Sequence, residues 1–352
     1  MKIYRNIFIL VLTLSLTIAC DNGQTEQQQA VNELLFEAGM QPAATRAGVN
    51  VQNTHFDENE EVDVYIEEQV SSTVTYAQPI VYTATASEVS QGFYSLSSPH
   101  QRDNSDIDIV TWPSTHKLDI YAFYPARVVN NLTSAFSFSI QSDQSTTSGY
   151  RQSDLMACQL MDVARIKARV QLTFTHLLSK VIVTLKGDRS LNINHEGWRD
   201  GATEGQQRAA QIEANNRLVG ARVDLMSIKP TTSITSPNTI ATASGSANVY
   251  VGTIATTTEL VDADDAASAW QIACIIPPQT IAAGASMFKI TMADGGVLYY
   301  KPAVLCTFTS GHVNTYNITV HAKELTLTGS TIDPWTVGDT DQGHEAQPVI
   351  TL

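Results

Sequence analysis

Catalysis and metal binding need polar side chains that converge, so the acid, base and thiol positions of this chain come first. None of the eight histidines lies in an HExxH or HxH spacing. His195-Glu196 in "NINHEGW" is an isolated acid–base pair in an irregular stretch, with no third residue at a ligand distance along the chain. Two acidic clusters could attract calcium: Asp262, Asp264 and Asp265 in "DADDAA", and Asp339, Asp341 and Glu345 in "GDTDQGHE". The first lacks the turn glycine and distal glutamate of a calcium loop and the second lacks its regular spacing, so both read as acidic turns. There is no glycine-rich phosphate loop, no G-x-S-x-G elbow and no nucleophile beside a visible base. The sequence therefore predicts no enzyme, no metal and no cofactor. Exposed aromatics could still stack on sugars. Trp270 and Trp335 fall in strand-like contexts that suggest packing, whereas Trp112 and Trp198 fall in loops and are expected to be more open.

The N-terminus carries a different kind of chemistry. Lys2 and Arg5 precede the 13-residue apolar run "IFILVLTLSLTIA", and Cys20 follows directly. This is the layout of a secretion signal, too short for the roughly 20 residues that span a bilayer. "LTIAC" resembles the lipobox of bacterial lipoproteins, which implies removal of residues 1–19 and lipid on Cys20. The other three cysteines, Cys158, Cys274 and Cys306, sit in apolar stretches without C-x-x-C spacing and read as small buried residues, with a Cys274–Cys306 bridge as the alternative. Further on, Arg46 is the sole Lys or Arg from residue 6 to 101 and lies in the small-residue stretch "QPAATRAGVN". An arginine so placed is either incidental or a place to cut.

The elements that would position these residues are strands. The 352 residues are 43% hydrophobic and 16% charged, which is ample core material for two domains. Thr, Ser, Val, Ile and Tyr recur in short alternating runs, so the chain reads as all-β with few short helices. With 21 basic against 35 acidic residues the net charge is −14, and no basic cluster suits nucleic acid. "DNGQTEQQQA" suits a tether, and "VNELLFEAGM" has the length of one strand. "EVDVYIEE" places Val62, Val64 and Ile66 on one face of a half-buried strand, and "HKLDIYAFYP" alternates Leu118, Ile120 and Ala122. "ARVQLTFTHLLSKVIVTLKG" restarts the rhythm as the entry to a second sandwich, and "EGQQRAAQIEAN" suggests one short helix. The organisation expected is a signal peptide over 1–19, a tether and propeptide strand over 20–46, and β-sandwiches over 47–165 and 166–352.

Six strings in order carry a family resemblance: "YAFYP" (121–125), "DLMAC" (154–158), "LTFTHLLSKVIVTL" (172–185), "IPPQTI" with "FKITM" (276–292), "FTSGHVNTYNITV" (308–320) and "IDPWTVGD" (332–339). Following a lipobox, they resemble the fimbrillin family of Bacteroidales, lipoprotein precursors that form or decorate type V pili. Cys158 departs from the commoner "DLMAA" form. The resemblance implies two transthyretin-like β-sandwich domains in tandem and passage to the outer membrane through lipid on Cys20. It also implies a cut between Arg46 and Ala47 by a trypsin-like, arginine-specific surface protease. The partners implied are other fimbrial subunits, with a host or bacterial surface ligand in addition. Losing a strand exposes an apolar groove that another subunit's strand can fill, and head-to-tail repetition gives a filament. The donor expected is the terminal strand at 347–352, with Pro348, Val349, Ile350, Thr351 and Leu352. The alternatives are a tip or accessory adhesin and an uncut glycan-binding surface lipoprotein.

Overall fold

The computed structural model describes residues 32–40, 56–69, 73–74, 79–90, 92–101, 107, 109–113, 116–126, 135–234, 239–255, 260–261 and 269–335. In chain order the first half supplies β1 (Phe36–Met40), β2 (Glu61–Glu68), β3 (Thr73–Val74), β4 (Ile80–Ser90), β5 (Phe93–His100), β6 (Leu118–Tyr124), β7 (Phe136–Ser139), helix α1 (Thr147–Arg151), β8 (Met156–Val163) and β9 (Val170–His176). The second half supplies β10 (Ser179–Gly187), helix α2 (Glu204–Asn216), β11 (Arg222–Ile228), β12 (Thr231–Ile234), β13 (Ala247–Thr253), β14 (Leu260–Val261) and β15 (Ala269–Ile276). It ends with β16 (Gln279–Ile281), β17 (Phe288–Thr291), β18 (Val297–Tyr300), β19 (Cys306–Phe308), β20 (His312–Val320) and β21 (Leu325–Pro334). The architecture is all-β, as the alternation predicts.

The first sheet runs β3-β2-β4-β5-β1-β9-β8-β6, and β6 pairs back onto β2. Seven strands thus close on themselves around one core. Its inward residues follow the two-residue period: Val62, Val64 and Ile66; Ile80, Tyr82 and Ala84; Leu118, Ile120 and Ala122; Val170, Leu172 and Phe174. The outer face of β2 is not solvated, contrary to the half-buried strand expected. Tyr65 and Phe123 from this sheet join a second core, meeting edge to face at 6.0 Å, while Phe123 meets Phe136 of β7 at 5.4 Å. A strand covered on both sides cannot show a solvent face, so Asp63 is buried as well.

The second core lies between the sheet β14-β15-β10-β20-β21 and the sheet β13-β11-β17-β18. β10 is its axis, antiparallel to β15 and parallel to β20, with Val181, Ile182, Val183 and Leu185 fully buried. Strand pairing crosses the residue-165 boundary: β7 pairs with β12, and β9 joins the first sheet through β1 and β8. Gln144 ties the halves of the second unit, its side-chain amide donating to Ile275 O at 2.8 Å and accepting from Ile275 N at 2.7 Å. Helix α2 starts in a capping box formed by Thr203 and Gln206 and buries Ala210 and Ala214 against the far end of β10.

Candidate functional site

The site the structure singles out is the slot holding β1. "NELLFEAGM" puts apolar side chains at alternate positions, and Leu34, Phe36, Ala38 and Met40 all enter the first core at 4% exposure or less. Phe36 packs edge to face on Tyr82 with ring centres 5.2 Å apart. On one side β1 runs antiparallel to β5, setting Glu37 opposite Ser95 and Gly39 opposite Phe93; on the other it runs parallel to β9, from Phe36 opposite Val170 to Met40 opposite Phe174. The preceding residues are held too. Leu34 N donates to Val110 O at 2.7 Å, Trp112 N to Asn32 O at 2.7 Å and Val170 N to Leu35 O at 2.8 Å. β1 is a central strand satisfied on both edges.

Two residues of β1 fit the slot by chemistry other than apolar burial. Glu37 is buried, and its carboxylate accepts from Ser90 Oγ at 2.7 Å and Gln171 Nε2 at 2.8 Å. At Gly39 a Cβ would stand 2.6 Å from Gly92 O and 2.7 Å from the Phe93 ring, so only glycine lets the backbones approach this closely. Arg169 donates to Phe36 O at 3.2 Å, and Arg165 donates to Asn32 Oδ1. Burial, and then the Glu88 carboxylate, raise the phenol of Tyr94 opposite Ala38. In β8, separated from β1 by β9 alone, burial pushes the Cys158 thiol up to about 12, so it is inert at neutral pH.

Cys20, Arg46, Ala47 and the segment 347–352 lie outside the described residues, as do the "DADDAA" cluster and Asp339, Asp341 and Glu345. Among the described residues no group of three His, Cys, Asp or Glu is placed to hold a metal ion. His195 caps a single helical turn, its Nδ1 accepting from Gly197 N at 3.0 Å, with Nε2 3.5 Å from Glu213. Trp270 and Trp335 are buried as expected. Trp112 is buried as well, against expectation, because its loop runs alongside the segment leading into β1. Trp198 is half-buried. The three described cysteines are unbridged; Cys158 and Cys274 are buried, but Cys306 is half-exposed on the short strand β19. Glu37 and Gly39 were not singled out by sequence: their roles come from neighbours more than 50 residues away.

The fold is thus a tandem all-β structure whose first sheet closes on itself with a short strand paired on both edges in its middle. Residues 45–335 match the family model described as fimbrillin-like, and the chain belongs to that family. Membership implies a fimbrial subunit at the cell surface. Solved structures share the fold: a candidate cell adhesion protein from Bacteroides uniformis superposes with a TM-score of 0.58 at 16% identity, over 86% of this chain and 98% of that one. Another from Bacteroides ovatus does so with a TM-score of 0.54 at 17% identity, over 87% of this chain and 99% of that one. No match was found among curated proteins.

Proposed function

We propose that the protein is a structural, non-enzymatic subunit of a type V fimbrium, exported as a lipoprotein on Cys20 and activated by a cut after Arg46. The observation that carries this is the position of β1: a buried central strand ends at Met40, six residues upstream of the lone arginine. Cleavage there separates β1 from the rest of the chain. Its departure exposes the inner faces of β5 and β9 and unpairs their facing backbone groups. Leu34, Phe36 and Met40 at about 1.5–3 kcal/mol each give roughly 5–9 kcal/mol of gross burial energy that a replacement strand can recover. The donor is residues 347–352 of a neighbouring subunit, with Val349 and Thr351 on one face and Ile350 and Leu352 on the other.

The test is the mature N-terminus of surface-exposed protein, wild type and Arg46→Ala, by intact mass and N-terminal sequencing. An unlipidated start at Ala47 in wild type, with loss of filaments in Arg46→Ala, is expected. A lipidated, uncut start at Cys20 in wild-type filaments would overturn the reading.

A further inference from the structure

A second feature lies in the second half of the chain, at the Gly187 end of β10. Where β10 ends at Gly187, beside the end of β20 at Val320, the segment 188–217 folds back and forms one side of an open cleft of about 290 Å³. The other end of β10, Ser179, adjoins the first sheet, which puts the cleft about 26 Å from that junction for a nine-residue strand. Its lining includes Lys186, Arg189, Trp198, Gln211, Thr319 and Thr328.

The walls are fixed. Trp198 Nε1 donates to Asn192 Oδ1 at 2.9 Å, and Asn192 Nδ2 in turn donates to Ala210 O at 2.9 Å. Gly197 and Gly187 press so closely on α2 that a Cβ would stand 2.0 Å from Gln206 O and 2.3 Å from Ala214 O. Gln211 Nε2 donates to Gly187 O at 2.7 Å and to Asn215 Oδ1 at 3.2 Å, leaving its amide oxygen as an acceptor. Charge is the unexpected part. In a chain of net charge −14, Lys186 and Arg189 make no ion pair among the described residues, although they line one cleft. The carboxylate in the lining, Asp188, is already held by Ser190 N at 2.8 Å and lies 3.1 Å from His321 Nδ1.

An aromatic wall, hydroxyls and an amide oxygen suit a sugar ring, and two cations without counter-ions suit an anionic substituent on it. The volume sits at the lower limit of about 300 Å³ for small-molecule sites, enough for one ring and not a chain. We propose that this cleft binds a single carboxylate-bearing sugar, the terminal residue of an acidic glycan. Lys186 and Arg189 take the carboxylate, and Trp198 packs on the ring.

The methyl glycosides of glucuronic, galacturonic and N-acetylneuraminic acids would be titrated into the full-length protein by calorimetry and saturation-transfer NMR, with methyl glucoside and inorganic phosphate alongside. At least one acidic glycoside is expected to bind about tenfold or more tightly than the neutral one. The double variant Lys186→Gln/Arg189→Gln is expected to lose that preference with an unchanged unfolding temperature, and Trp198→Phe to weaken binding of every glycoside while keeping an aromatic wall. Failure of all three acidic glycosides, equal binding of the neutral one, or an unaltered double variant would overturn the assignment. Phosphate binding as tightly as the best glycoside would also overturn it, leaving a bare anion cleft.

Discussion

Gly39 shows how narrow the slot is at the level of one atom. Gly39→Ala places a methyl group 2.6 Å from Gly92 O, and the uncut precursor is expected to lose about 1–3 kcal/mol of stability in denaturant unfolding. Phe36→Ala, which empties a fully buried site, should cost the precursor about 3–5 kcal/mol. Protein beginning at Ala47 lacks both positions, so an equal loss in variants isolated from filaments would mean that the strand was never removed. The thiols give an independent check of burial. In the folded, uncut protein with β1 in place, half-exposed Cys306, whose thiol burial also raises, should react slowly with a thiol reagent at pH 8, while Cys158, pushed up to about 12, and the fully buried Cys274 react only after denaturation. Asp188 provides a pH signature. Burial pushes its carboxyl up, but hydrogen bonds from Ser190 and the His321 contact outweigh that and hold it below its ordinary range. A depressed carboxyl adds stability above its unfolded pKa and loses it as pH falls through the folded one, so Asp188→Asn should flatten the acid limb below about pH 4. An identical acid limb in the variant would remove Asp188 from the account.

Elements were legible in sequence wherever one face met a core and the other met water. β9 shows this: Val170, Leu172 and Phe174 are buried as their alternation indicates, while Gln171 and Thr175 on the other face are exposed. β2 was read correctly as a strand but not in its surroundings, because Tyr65 and Asp63 are covered by a second core that no local period reports. For β1 the sequence yields a strand-length apolar segment, yet five residues carry no information about which neighbours they pair with. The same holds for Trp112, whose burial depends on Asn32 eighty residues earlier. The proposed acceptor role of the β1 slot rests on register, and its test is at the same scale. Amide exchange at Phe93–Ser95 of β5 and Leu172–Phe174 of β9 should be slow in the uncut protein and fast in the cut monomer, then slow again in filaments. Unchanged protection after the cut would show that β1 stays in place.

Over the whole molecule, removing residues 1–46 takes away three basic and four acidic groups and leaves 18 against 31. Subunits so strongly acidic repel at long range, so filament growth should accelerate severalfold between low salt and about 0.15 M, where the screening length is about 8 Å. A growth rate independent of salt would argue that association is not limited by encounter. The placement of β1 has one more consequence, a mechanical one. A strand flanked along its length by β5 and β9 carries tension applied along its axis in all its backbone hydrogen bonds at once. Peeling from one edge would break them singly. Any strand in this slot is therefore loaded in shear, and a filament so joined resists pulling far better than its equilibrium affinity alone would indicate, failing when a sheet unravels before a joint slips.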